Sequence, residues 1–149
     1  MEKAYIGIDP GKSGALALMT GDHYVVTDYP GDPAQVVETL RSWAVQYDIR
    51  LAALEKVGAR PGQGVVSMFS FGQNLGAYQG ILAAMGIPFT MPTPQQWQKG
   101  LVDQKAGPDP KTRTLVTARR LFPHAELSRK KDHGRADALL LAFWAKRNQ

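Results

Sequence analysis

Three apolar runs fall within the first 28 residues, at 5–9 (YIGID), 15–19 (ALALM) and 23–28 (HYVVTD), separated by turns too short to hold a helix. Such spacing folds neighbouring strands back on one another, and the Thr20-Gly21-Asp22 turn joins the last two as a hairpin. Asp32-Pro33 then reads as a helix cap followed by proline at the first helical position. Val36, Leu40, Trp43 and Tyr47 recur at helical spacing, and the helix should end near Asp48. The next apolar run, 51–54 (LAAL), is short and continuous, which suits a buried strand lying parallel to the first.

Residues 56–64 (KVGARPGQG) read as a flexible loop, 65–85 as a helix, 87–91 as a fifth strand and 94–101 as a short helix containing Trp97. A helix with a basic face is predicted at 111–122, and the last helix should begin at Asp132 or His133 and run to about Arg147. The predicted fold class is α/β: a mixed five-stranded sheet, three antiparallel strands then two parallel ones, flanked by helices. A length of 149 residues, 44% hydrophobic, suits one domain over 1–149. No apolar stretch reaches signal-peptide or membrane-span length, so a cytoplasmic location is expected.

The carboxylates give this frame its chemistry. Asp9 ends the first strand beside the Pro10-to-Gly14 bend, and Glu55 ends the LAAL strand, so both should emerge at one end of the sheet. Asp137 precedes ALLLAFW in a mostly apolar helix, where an inward-facing carboxylate without a partner is costly. Carboxylates brought together repel unless a cation lies between them. With no cysteine in the chain, the ligands must be oxygen or histidine, which points to magnesium, with manganese as the alternative. Two such ions could act on opposite sides of a phosphodiester.

A fourth corner is ambiguous between two neighbours. His133 lies four residues before Asp137, on the same helical face, whereas Asp132 contributes only if the helix begins after it, and capping competes for the same carboxylate. Taken singly, Asp9 could be a turn residue and Glu55 an exposed strand end. Gly11-Lys12-Ser13 matches the end of a phosphate-binding P-loop, but Ile6 stands where that motif needs glycine, and an apolar strand follows where a helix should. An actin-like phosphate hairpin would need a second domain.

Charge divides the chain. Residues 1–98 carry six Lys or Arg against eight Asp or Glu, while 99–149 carry twelve against five, or about −2 and +7. Basic runs are often only solvated surface, but here the basic third also contains Asp137, which favours a polyanionic substrate. Lys12 near the first acid, Lys99, Lys105, Lys111 and Arg113 around the basic helix, and Arg129, Lys130, Lys131 and Arg135 before the last one are the candidate phosphate contacts. Gly72, Gly76 and Gly80 recur every four residues in the 65–85 helix, which implies close approach of another helix or of DNA. Phe69, Phe71 and Tyr78 share that segment; such aromatics are mostly core, while one of Phe69 or Phe71 could stack on an unpaired base.

The runs IGIDPGKSGALAL, LAALEKV, SMFSFGQNLGAYQGIL, PTPQQWQKG and DHGRADALLLAFW occur in this order over most of the chain. Their succession resembles the RuvC-type Holliday junction resolvases of the ribonuclease H-like superfamily, especially phage-borne ones. The resemblance implies a homodimeric, metal-dependent endodeoxyribonuclease that resolves four-way DNA junctions by paired phosphodiester hydrolysis, leaving 5′-phosphate and 3′-hydroxyl ends. It assigns Asp9, Glu55 and Asp137, with Asp132 or His133, to two magnesium ions. In that family the fourth ligand commonly stands three residues before the last acid, a place held here by Gly134. A ribosomal-RNA-processing nuclease of the same superfamily, or a non-catalytic basic nucleic-acid-binding module, are the alternative readings.

Overall fold

A computed structural model of the chain describes residues 1–58 and 61–149; Ala59 and Arg60, within the loop predicted at 56–64, lie outside the described residues. The elements run β1 (Lys3–Asp9), β2 (Ala15–Thr20), β3 (His23–Asp28), α1 (Pro33–Gln46), β4 (Asp48–Leu54), α2 (Val65–Ala84), β5 (Phe89–Thr90), α3 (Pro94–Gln98), α4 (Pro110–Leu121) and α5 (His133–Arg147). The strands form a five-stranded sheet in the order β3-β2-β1-β4-β5. β1, β2 and β3 pair antiparallel, while β4 pairs parallel to both β1 and β5, as the meander and the intervening helix require.

The period-two alternation of the strands sorts their side chains onto two faces. Ile6, Ile8, Leu16, Leu18 and Leu54 meet Val36, Leu40 and Trp43 of α1 and Leu82 of α2. On the other face, Tyr5, Ala17, Met19 and Ala53 pack with α4 and α5 through Leu115, Ala118, Leu139 and Leu141. Asp32 caps α1 by accepting a hydrogen bond from the Gln35 amide at 3.0 Å, with Pro33 opening the helix. Among the described residues, no helix is long and apolar enough to cross a membrane.

Several boundaries depart from the sequence expectation for local reasons. β5 shrinks to two residues between Pro88 and Pro92, which have no N–H to give a ladder; their carbonyls instead accept from the Ala52 and Lys56 amides, each at 2.9 Å. α3 stops at Gln98, two residues before Gly100, which takes a φ of 75°. Extended backbone at Tyr47 closes α1 at Gln46. The glycines of α2 approach nothing among the described residues: a Cβ at Gly72, Gly76 or Gly80 would find no neighbour within 4 Å, so no described element fills that stripe. Val65, Val66 and Phe69 are exposed on the same helix.

Close approach occurs elsewhere, at Gly7, where α5 crosses the centre of the sheet. A Cβ there would run into the Ala138 carbonyl and the Ala142 amide of α5, so only glycine admits the helix at this depth. Gly7→Ala is therefore expected to cost about 3 kcal/mol of stability, measured as a lowered urea midpoint.

Candidate active site

The strand pairing carries two of the three acids to one place. Ile8 lies opposite Leu54, and the Glu55 amide donates to the Ile8 carbonyl at 3.1 Å, so the residue following β4 leaves the sheet beside Asp9. The third acid arrives from above: α5, seated on Gly7, brings Asp137 over the same strand ends.

Each acid has a distinct environment. One Asp9 oxygen accepts from the Gly11 amide at 3.1 Å. Burial pushes the Asp9 carboxyl above its ordinary value, against the opposing pull of the Gly11 N–H and of the positive charges of His133 and Lys111. Glu55 is buried, and its Oε2 accepts from the indole N–H of Trp97 at 2.7 Å. Asp137 is pushed well above the carboxylate range, first by burial and then by repulsion from Asp9 and Glu55, with Thr114 and Lys111 pulling the other way. Its Oδ1 is sealed from solvent and has no hydrogen-bond partner among the described residues.

Asp9, Glu55 and Asp137 are thus electrostatic neighbours, with His133 acting on Asp9 and Lys111 on both aspartates. Among the described residues, no three Asp, Glu or His side chains stand close enough together as they are to ligate one ion. A carboxylate repelled by two others and carrying one orphaned buried oxygen nevertheless suits a hard divalent cation, which would draw the side chains together. Glu55, Asp137, Lys111 and Thr114 line an open cleft of about 350 Å³. Lys111 also lines a second cleft of about 830 Å³, with Thr112, Arg119, Lys130, Lys131 and His133.

Asp132 does not join this cluster. α5 does begin after it, as a metal role required, but a short 3₁₀ turn, Lys130–Asp132, directs the carboxylate away. Its Oδ2 accepts from the Arg129 amide at 2.8 Å, and its Oδ1 accepts from the Arg129 guanidinium at 2.9 and 2.6 Å. Burial alone would raise its pKa, but these Arg129 hydrogen bonds outweigh it and hold the carboxyl below its ordinary value. Asp132 is thus held by Arg129. Gly134 explains why the usual position is vacant of a ligand: a Cβ there would collide with the Ser13 carbonyl and lie 3.1 Å from the Gly14 Cα.

The basic candidates separate into two groups. Arg135 holds Asp28 at 2.7 and 3.1 Å, and Arg113 donates to the Gly107 carbonyl at 3.0 Å and the Pro108 carbonyl at 3.3 Å. With Arg129 on Asp132, these three guanidiniums tie the fold together. Lys12, Lys99, Lys105, Lys111, Lys130 and Lys131 are all exposed, although Lys12, Lys99 and Lys105 line neither cleft. Phe69 is 67% exposed and Phe71 half-buried, whereas Tyr78 belongs to the core. Sequence reasoning missed Trp97 and Thr114 as neighbours of the acids. Only the PTPQQWQKG run, with its capping residues Thr93 and Gln96, hinted at a built feature.

No protein-family model matches the chain. Over 89 residues, 57% of this chain, it is 37% identical to a curated protein of Chlamydomonas reinhardtii, the chloroplastic Holliday junction resolvase MOC1. The match covers about 10% of that protein's length. Two solved structures of RuvC from Thermus thermophilus superpose on it. One, in complex with a Holliday junction substrate, has a TM-score of 0.63 at 21% identity, covering 95% of this chain and 91% of that one. The other has a TM-score of 0.60 at 22% identity, covering 95% and 92%. The chain has their ribonuclease H-like fold.

Two outcomes follow from the geometry. Asp132→Ala should lower stability by about 2–3 kcal/mol, because it strips a buried carboxylate from Arg129, whereas His133→Ala should cost less than about 1 kcal/mol; urea unfolding measures both. For Asp137 the sign is reversed. A carboxyl raised in the folded state contributes stability below its ordinary value of 3.8, and that contribution is lost as pH rises through the raised value. Metal-free wild type should therefore lose thermal stability as pH rises above the ordinary value of 3.8 toward the raised one. Asp137→Asn should flatten that loss and melt higher than wild type at the upper pH.

Proposed function

We propose that this chain is a metal-dependent, structure-selective endodeoxyribonuclease that resolves four-way DNA junctions. The observation that carries the reading is Asp137 Oδ1, buried without a hydrogen-bond partner among the described residues, in a residue that Asp9 and Glu55 repel and that lines a cleft with Lys111. The likeness to RuvC, solved with a Holliday junction, and the partial match to the algal resolvase support this substrate over others.

In this reading Asp9, Glu55 and Asp137 hold the divalent ions, magnesium or manganese, and His133 takes the fourth corner in place of Asp132. Bound there, such ions supply a lowered pKa for attacking water and charge neutralisation at the scissile phosphate. Lys111, exposed at the first turn of α4 and lining both clefts, binds a phosphate oxygen and orients the strand toward the acids. Lys130 and Lys131 continue the backbone contact along the second cleft, and Lys12 meets the strand from the bend after Asp9. The capped N-terminus of α4 fixes Lys111, since Asp109 accepts from the Thr112 amide at 2.8 Å.

Paired cuts across a junction need two sites, and the uncovered face of α2 supports a homodimer through that helix. Phe69, exposed near its start, is suited to stack on an unpaired base at the junction centre.

The test is incubation of purified protein with labelled four-way junctions, linear duplex and structured RNA, with magnesium. Junction-selective nicking is expected, and Asp9→Asn should reduce it by at least about a thousandfold. Lys130→Ala with Lys131→Ala should shallow the salt dependence of junction binding by about two units of log–log slope. Absence of nicking by wild type across metals and salt concentrations would sink the proposal.

A further inference from the structure

We infer that Trp97 is a positioning residue: its indole N–H holds one oxygen of Glu55 and so helps to fix the carboxylate where a divalent ion would bind. The inference rests on the nuclease reading for the identity of the ion, and on the geometry for the contact.

The bond is short and dry. Trp97 is fully buried, Glu55 is buried, and the Nε1 to Oε2 distance is 2.7 Å. An indole has one polar atom and only a donor to offer, so a buried tryptophan is fixed in rotation by whatever accepts from it.

The element carrying it is built for this place. α3 has five residues, too few to persist through helix propensity. It is held by a reciprocal cap, in which the Gln96 amide donates to the Thr93 hydroxyl at 3.3 Å and the Thr93 amide donates to the Gln96 side-chain carbonyl at 2.8 Å. Pro94 begins it, and the Lys56 amide, donating to the Pro92 carbonyl, ties its approach to the residue after Glu55. The chain thus fastens the backbone next to the acid and the side chain on top of it from the same segment.

Glu55 needs such a hold. It is the first residue beyond β4, its side chain has three rotatable bonds, and Asp137 repels its carboxylate. Outer partners that orient a ligating carboxylate commonly change metal affinity by about ten- to a hundredfold when removed.

Trp97→Phe keeps the ring and removes the donor. Manganese binding, followed by electron paramagnetic resonance without DNA, should weaken by about tenfold, while Trp43→Phe on α1 should leave it unchanged. Junction nicking by Trp97→Phe should return toward the wild-type rate at saturating magnesium, which a general loss of packing would not allow. In ¹⁵N-labelled wild type, one of the three indole N–H signals should lie downfield and move on magnesium addition; this holds even if Trp97→Phe fails to fold. Unchanged manganese affinity in a folded Trp97→Phe, or no indole signal responding to magnesium, would overturn the inference and leave the nuclease reading intact. Wild type that binds manganese yet nicks no DNA would remove the nuclease reading while the positioning role survives.

Discussion

The contact on which the site depends is the seating of α5 on β1 at Gly7. At that point helix backbone meets strand backbone with no side chain between, which sets the height of α5 over the sheet. Asp137 lies one residue before the Ala138 carbonyl that touches Gly7, so its distance from Asp9 follows from this contact and from the two residues separating Gly7 from Asp9. One turn earlier, Gly134 rests against the Ser13–Gly14 bend and fixes the tilt of the helix start. His133 reaches Asp9 for that reason. The two glycines act as a pair of spacers, and the cost is that neither position can carry a functional side chain.

Around that contact, charged groups divide by chemistry. Arginine forks close internal distances: Arg135 joins α5 to Asp28 of β3, and Arg129 anchors Asp132 at the helix start. The lysines along the clefts have no such duty and stay in solvent. The carboxylates divide in the same way. Asp28 is held low by its hydrogen bond from Arg135, and Asp132, despite burial, by its bonds from Arg129. Asp9 and Asp137 are raised because the fold buries them without an equivalent partner.

Much of this was readable in the chain before any coordinates. The antiparallel meander and the parallel return of β4 follow from apolar runs and connection lengths, and the three acids stand out as polar ends of apolar elements. The side chain of Asp132 was not readable, since its direction depends on a 3₁₀ turn and on Arg129 folding back three residues. The structural duty of Arg113 and Arg135 was hidden for a related reason: a guanidinium's partners are backbone carbonyls and a strand end 107 residues away. Trp97 stood out only as part of a short helix, because a single indole hydrogen bond leaves no mark in hydrophobic spacing. The bareness of α2 was equally invisible, as spacing marks a glycine stripe without naming what covers it.

The raised acids link folding to metal uptake. A chain that buries repelling carboxylates must relieve them, and protons or a cation can do so at the same oxygens. Without a cation, Asp137 sheds its repulsion by remaining protonated to higher pH than an ordinary aspartate. Cation binding must then release that proton, so affinity should rise with pH until the carboxyl is ionised unaided. Lys111 modulates the exchange from the side, since it lowers the Asp9 pKa yet repels an incoming cation. A phosphate seated on Lys111 would screen that repulsion, so nucleic acid and metal should bind cooperatively, each reducing the electrostatic cost of the other.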